Sequence, residues 1–238
     1  MELLVLILAL VNLLANTAYS SIAPIFPLAA IEKGIPNTYI GFIFSMYSLM
    51  KVIMSPFVAV LMNQTGRRAI LLRGLVFEGV AIITFGVLDF IQDPVWYGVS
   101  SAICRALEGL GNACLVTASY ALVASRFPEK VDQVVSTLQT FTALGMASGP
   151  LFGSALFALG GFKVPFFVTG AALLVFAVAT AYVLPEEDEE QRNTELQQPP
   201  SDPSSAENSM TRGSAQLCHL IKDFKVLVIS ITVSLLIL

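Results

Sequence analysis

Long apolar stretches separated by short polar connections recur along the first 184 residues. Six of them carry few charges or none: residues 3–23, 39–62, 69–88, 95–123, 134–159 and 165–184. About 20 apolar residues in a helix cross about 30 Å of hydrocarbon, so each stretch is long enough to span a bilayer. The pattern predicts an all-α membrane protein whose residues 1–184 form a bundle of six transmembrane helices.

The first stretch also has a length compatible with a secretory signal peptide. A signal peptide begins with positive charge, whereas this chain offers only Glu2 before the apolar run, and Pro24 and Pro27 prolong that run. We therefore interpret the stretch as the first membrane helix, with a cleaved signal as the alternative.

The character of the chain changes after residue 184. Residues 185–223 open with an acidic run at 186–190 and continue with proline and serine, almost without apolar periodicity. Such a segment cannot bury enough surface to offset its ordering entropy, which predicts a disordered acidic linker; a partner-binding patch is the alternative. Residues 224–238 are apolar again but too few to span a bilayer, and we expect them to be the truncated start of a seventh helix.

Composition agrees with the membrane prediction. Hydrophobic residues make up 55% of the 238 and charged residues only 13%, against about 25% charged in soluble domains. The partner that this predicts is the lipid bilayer and not nucleic acid. The three cysteines suggest neither a disulfide framework nor a metal site, and the lone His219 has no accompanying nucleophile. We expect no enzyme activity and no cofactor.

The short loops differ in positive charge. Two loops that lie on one predicted side hold most of the basic residues: Arg67, Arg68, Arg73, Arg126 and Lys130. The opposite side holds only Lys33 and Lys163. Because basic loops stay in the cytoplasm, the N-terminus and the linker are predicted to be cytoplasmic.

Four charged residues lie deep in the predicted helices. Arg105 and Glu108 fall about 15 Å from either surface, at a rise of about 1.5 Å per residue, and an unpaired charge there costs at least about 2.5–3.5 kcal/mol. They can pair as i and i+3 neighbours. Lys51 and Glu78 bring the set to two cations and two carboxylates. We interpret Lys51 as cavity-facing, with snorkelling as the alternative, and Glu78 as more structural than functional.

Glycine motifs mark the fourth and fifth helices. An Arg-x-x-x-Gly-x-Gly-Asn motif begins at Arg105 and has its first glycine at Gly109. A Gly-x-x-x-Gly-Pro-x-x-Gly motif comprises Gly145, Gly149, Pro150 and Gly153. Such spacings let helix backbones approach closely and the proline bends its helix, so helix packing alone is the simplest interpretation.

The two motifs, each in its expected helix, resemble those of the major facilitator superfamily in its drug:proton antiporter branch. The resemblance implies a role in proton coupling for the first motif and an antiporter signature for the second. The family's loop between helices two and three is only partly matched. Gly66, Arg67 and Arg68 are present, but Asn63 stands where the family usually has aspartate, which weakens the gating role of this loop.

Within the superfamily the chain is most similar to the vesicular amine transporters, in particular to their polyamine-transporting subfamily. The similarity is carried by Pro-Ile-Phe-Pro at 24–27, Glu-Lys-Gly at 32–34, Asn-Thr-x-Ile-Gly-x-Ile-Phe at 37–44, Phe-Gly-Val-Leu-Asp at 85–89, Leu-x-Thr-Phe-x-x-Leu-Gly at 138–145 and Val-Pro-Phe at 164–166. It implies the N-terminal half of a vesicle-membrane antiporter. Such a transporter exchanges protons for small organic cations by alternating access and needs a C-terminal half for activity.

One departure from that family bears on the substrate. The aspartate that monoamine transporters carry in helix one is replaced by Ala15, which leaves Glu108 as the best-placed carboxylate. We predict that Arg105 and Glu108 couple protons, although structural pairing explains Glu108 equally well. The residues predicted to line the substrate cavity are Asn12, Asn16, Lys51, Glu108, Asn112 and Gln139.

The sequence allows alternative interpretations of the polar residues in the first helix and of the whole protein. Asn12, Asn16 and Ser20 recur every four residues, so they share one face that either hydrogen-bonds to neighbouring helices or lines a water-filled path. The alternatives for the whole protein are an exporter of drugs or organic anions and a non-transporting fragment.

Overall fold

The computed structural model describes residues 2–184, and the predicted linker and seventh-helix segment lie outside this range. The described residues form six α-helices: α1 (Glu2–Glu32), α2 (Asn37–Thr65), α3 (Arg67–Val87), α4 (Pro94–Arg126), α5 (Val131–Gly160) and α6 (Lys163–Val183). Short 3₁₀ turns, Leu88–Phe90 and Pro128–Lys130, lie in two of the connections. All six helices are long and apolar enough to cross a membrane, which confirms the predicted all-α bundle.

The first helix is longer than its predicted window, which ended at residue 23. It continues to Glu32 with Pro24 and Pro27 inside it. Proline removes one backbone donor from a helix, but membrane helices tolerate it where neighbouring groups satisfy the freed carbonyl. The two prolines therefore lie inside α1 and do not mark its end.

The helices pack in a fixed pairing: α1 lies against α5, α2 against α4, and α3 between α4 and α6. Glycines lie at the closest approach of α5 to α1. A methyl group added at Gly145 would overlap the backbone carbonyl of Leu13. A Cβ at Gly153 would lie 2.7 Å from the carbonyl oxygen of Ser21. The backbones touch because no side chain separates them, which fixes how α5 sits on α1.

Gly66 joins α2 to α3 through a conformation that other residues rarely adopt. Its φ is 85°, and its N–H donates to the carbonyl of Met62 at 2.9 Å. Glycine takes positive φ without steric cost, so the chain can turn here within a single residue. Beside this turn, Arg68 donates from Nη2 to the carbonyl of Ala181 at 2.6 Å, which links the start of α3 to the end of α6.

At the other end of the bundle, two lysines converge on the α3–α4 connection. Lys33 Nζ donates to the carbonyls of Asp89 and Ile91 at 2.8 and 2.6 Å. Lys163 Nζ lies 3.5 Å from the carboxylate of Asp89. The connections after α1, α3 and α5 therefore meet at one end, as alternating membrane crossings require.

Candidate functional site: the central polar cluster

A buried ion pair lies in the middle of α4. Arg105 Nη1 donates to Glu108 Oε2 at 2.8 Å, and the two side chains are 0% and 2% exposed. The i,i+3 spacing places both on one face of the helix. Charges this deep are tolerated only when paired, so each residue depends on the other.

Three aromatic rings surround the arginine from two other helices. The guanidinium carbon lies 5.1 Å from the ring centre of Tyr19 on α1, and 4.9 and 5.6 Å from those of Phe44 and Tyr47 on α2. Tyr19 and Tyr47 also stack on each other, with 4.2 Å between ring centres. Aromatic faces attract a cation within about 6 Å. We call Tyr19, Phe44 and Tyr47 the aromatic cage.

Gly109 explains why α2 comes so close to the arginine. A methyl group at this position would overlap the backbone carbonyl of Tyr47. The glycine of the Arg-x-x-x-Gly motif therefore brings the α2 backbone, and with it the ring of Tyr47, against α4. The motif supplies both the charge and the space for the rings that contact it.

A second buried carboxylate joins the site from α3. Glu78 is fully buried, and its Oε1 accepts a hydrogen bond from Asn112 Nδ2 at 3.1 Å. Asn112 lies one helical turn beyond Glu108, on the same face of α4. A Cβ at Gly111 would lie 2.7 Å from the backbone nitrogen of Glu78, so α3 and α4 touch here. We call Arg105, Glu108, Asn112 and Glu78 the central polar cluster.

Several polar atoms of the cluster have no hydrogen-bond partner among the described residues. They are Arg105 Nε and Nη2, Glu108 Oε1, Glu78 Oε2 and Asn112 Oδ1. Buried polar atoms are nearly always hydrogen-bonded in proteins, and exceptions call for an explanation. Both donors and acceptors are available here, so the cluster has the capacity to bind a proton, a water molecule or a polar group of a ligand.

Lys51, predicted to face the cavity, lies on α2 near the cluster. It is half-buried, and its Nζ lies 6.0 Å from the ring centre of Tyr47. Within residues 2–184 it forms no ion pair, although its charge interacts with that of Glu78.

The remaining predicted cavity residues lie elsewhere. Asn12 and Asn16 are buried on α1, where their amides donate to the α1 carbonyls of Leu8 and Asn12 at 2.8 and 2.7 Å. Asn12 also reaches Ser119 of α4 at 3.5 Å. Gln139 is exposed on α5 and donates to the hydroxyl of Tyr120 at 2.6 Å. Arg105, Glu108, Asn112 and Lys51 thus interact with the central polar cluster, whereas these three amides make no hydrogen bond to it among the described residues.

The sequence profile described as Major Facilitator Superfamily matches residues 8–237. The chain belongs to the Major Facilitator Superfamily. The family predicted from the glycine motifs of α4 and α5 is thus confirmed, and the bundle is the N-terminal half of the facilitator fold. The chain, called the facilitator chain below, is accordingly a multi-pass protein of the lipid bilayer. It comes from a family whose substrates are small molecules.

Individual relatives support the same assignment. The facilitator chain is 33% identical over 177 residues to the human (Homo sapiens) protein named MFS-type transporter SLC18B1, a match that covers 74% of this chain and 39% of the relative. It is 31% identical over 179 residues to Multidrug resistance protein MdtG of Proteus mirabilis (strain HI4320), which covers 73% of this chain and 42% of the relative. The chain thus spans about two fifths of the length of these relatives. The first match agrees with the resemblance to the vesicular amine transporters.

Two parts of the site were missed by the sequence reasoning. The aromatic cage was not predicted, although Phe44 and Tyr47 are spaced i,i+3 on α2 as side chains that share a face are. Glu78 was assigned mainly to structure, because nothing in the local sequence of α3 shows that Asn112 contacts it. Both contacts join residues of different helices and depend on how those helices are rotated.

Proposed function

We propose that the facilitator chain is the N-terminal half of a proton-coupled antiporter for small organic cations of the polyamine or related amine class. A second six-helix half would complete the substrate site near the membrane midplane, and alternating access would move the substrate. We refer to this chain together with that half as the complete transporter. We place it in a vesicle membrane with the N-terminus and the linker in the cytoplasm, on the basis of loop charge and family resemblance.

The observation that carries this proposal is the Arg105–Glu108 pair. The free oxygen of Glu108, Oε1, is available to a proton or an ammonium group, while Oε2 holds the arginine. Binding of either cation to Glu108 weakens its hold on Arg105. A bare buried arginine would be unfavourable, but the rings of the aromatic cage remain beside the guanidinium. The site can therefore alternate between a paired and a proton-bearing Glu108.

The buried carboxylates of this half support a cationic substrate, because they can provide its counter-charge. The position in α1 where monoamine transporters carry aspartate is Ala15, which is fully buried. Glu108 and Glu78 are the buried carboxylates of the described residues, and both belong to the central polar cluster. An amine that enters from the second half would meet its counter-charge at α4 instead of α1.

Substitution of Glu108 by glutamine tests the proposal, because the amide keeps the size of the side chain and removes its proton-binding charge. The complete transporter, reconstituted in acidified proteoliposomes, should lose pH-gradient-driven uptake of labelled spermidine in Glu108→Gln while membrane insertion stays normal. Glu129→Gln, an exposed carboxylate before α5, is the matched control and should transport like the wild type. Unchanged uptake by Glu108→Gln would contradict the coupling role.

An exporter of drugs or organic anions is the second candidate. Lys51 favours it, because a half-buried lysine without an ion pair in the described range could bind a substrate anion. The printed name of the Proteus relative also refers to drug resistance. Uptake of labelled spermidine, a labelled monoamine and a labelled organic anion, measured in the same proteoliposomes, distinguishes the amine antiporter from this exporter. Anion uptake that Lys51→Met removes would support the second candidate and reject the first.

A further inference from the structure

Glu78 is the buried titratable group that the proposed coupling by Arg105 and Glu108 does not use. It lies on α3, fully buried, and its one hydrogen bond among the described residues comes from a neutral amide, Asn112 Nδ2. Its other oxygen, Oε2, has no partner in that range. A buried carboxylate with a single neutral donor is a costly arrangement if the group carries a full negative charge.

The charged and titratable groups that face Glu78 do not provide a positive charge bound to its carboxylate. They come from α2 and α4: Tyr47, Lys51, Glu108 and Cys114. Glu108 repels a charge on Glu78, and Arg105 is bound to Glu108. Lys51 attracts it but forms no ion pair with it in the described range. From α6, which packs on the other side of α3, the only titratable residues are Lys163 and Tyr182 near its two ends.

The unpartnered atoms of Glu78 and Asn112 indicate how the free-energy cost of burying this carboxylate is avoided. Glu78 Oε2 and Asn112 Oδ1 are both acceptors, and both lack a partner within the described residues. An ionised carboxylate has no hydrogen to donate, so it cannot satisfy the amide oxygen. One proton on Glu78 converts the carboxylate into a neutral carboxylic acid with an O–H donor. That proton removes the buried charge and provides a donor for the amide.

Asn112 also connects this carboxylate to the ion pair. It lies four residues after Glu108 on the same face of α4 and donates to Glu78 across the α3–α4 contact. Gly111, the residue before Asn112, lets the α3 backbone at Glu78 lie directly against α4. Glu78 therefore lies close enough to Glu108 for the charge state of one carboxylate to affect that of the other.

We infer that Glu78 is a second proton-binding carboxylate, that Asn112 positions it, and that it holds its proton while Glu108 is paired with Arg105. The proton comes from the aqueous phase, and no covalent bond other than O–H forms or breaks. The place of this proton in transport rests on the proposed function. The protonated state itself does not, because it is a property of the resting chain.

Infrared difference spectroscopy of the purified chain in lipid nanodiscs tests the inference. A protonated carboxyl group has a carbonyl-stretch band that a carboxylate and a glutamine lack. At neutral pH the wild type should show this band, and Glu78→Gln should remove it. Glu129→Gln, whose carboxylate is exposed, is the matched control and should leave the band unchanged. Absence of the band in the wild type, or its full persistence in Glu78→Gln, would overturn the inference.

A second variant keeps the test decisive if Glu78→Gln does not fold. Asn112→Ala leaves Glu78 in place but removes its amide partner, so the acid band should move to higher frequency as the carbonyl loses a hydrogen bond. A purely structural asparagine would leave the band where it is. The Glu78 band is recorded in the resting wild-type chain, without substrate or transport, which separates the two proposals. Normal uptake by Glu108→Gln rejects the proposed function, whereas only the Glu78 band decides this inference.

Discussion

The α1–α5 interface and the central polar cluster both form where glycines let two helices touch, yet they treat buried polar groups in opposite ways. Along α1, the buried side chains donate to nearby helix carbonyls: Ser20 Oγ, for example, lies 2.8 Å from the carbonyl of Asn16 and 3.2 Å from that of Gly145. No unpartnered buried side-chain atom of the described range lies on α1 or α5. In the cluster, five such atoms belong to four residues.

The difference in unpartnered polar atoms distinguishes a packing contact from a site that can still bind a proton or a ligand. Serine and asparagine satisfy their own hydrogen bonds within a helix, so the α1–α5 interface needs nothing from outside. The ionisable side chains of Arg105, Glu108 and Glu78 do not obtain their hydrogen bonds from the backbone of their own helices. They need partners from other helices or from outside the chain, as the proposed coupling site requires and a packing interface does not.

The largest expected effect comes from removing one charge of the ion pair. Glu108→Leu leaves Arg105 buried with only the aromatic cage beside it, and should lower the free energy of unfolding by about 3–5 kcal/mol. Equilibrium unfolding in mixed detergent micelles measures this loss.

A double variant shows whether the loss reflects the unpaired charge. Glu108→Leu combined with Arg105→Met replaces the pair by apolar side chains of similar size and should recover most of the stability. Additive losses in the double variant would mean that the two residues do not act as a pair, and the contrast with the α1–α5 interface would disappear.

A smaller effect is expected from the interface itself. Gly145→Ala forces a methyl group against the carbonyl of Leu13 and should cost about 1–3 kcal/mol of unfolding free energy. Gly41→Ala is the matched control, since nothing lies within 4 Å of its Cβ position on α2. That variant should be neutral or stabilising by up to about 1 kcal/mol. Equal losses in the two variants would show that Gly145 is not a point of close contact.

Much of the fold follows from one-dimensional information. Six apolar runs separated by polar loops are sufficient to predict six membrane helices, because the hydrocarbon thickness sets their length. The Arg105–Glu108 pair was also predictable, since an i,i+3 spacing is fixed by the helix whatever surrounds it. The end of α1 was not, because the low-charge window stops at residue 23 whereas the helix continues through Pro24 and Pro27 to Glu32.

The rest of the site depends on how the helices are rotated and packed, which the local pattern does not encode. Tyr19 and Tyr47 reach Arg105 from different helices, and Glu78 meets Asn112 across 34 residues of sequence. Conversely, Asn12 and Asn16 have the spacing of a polar stripe, yet their amides donate to carbonyls of α1. A polar residue in the middle of a membrane helix is a candidate site residue. Only its contacts show whether its hydrogen bonds are already satisfied.

Proton movement driven by added substrate tests the proposed coupling at the central polar cluster most directly. Proteoliposomes that hold the complete transporter and an internal pH dye are acidified, and unlabelled spermidine is added outside. We predict a rise of internal pH in the wild type and in Glu129→Gln, and none in Glu108→Gln. An equal rise of internal pH in Glu108→Gln would contradict the claim that proton coupling depends on the Arg105–Glu108 pair.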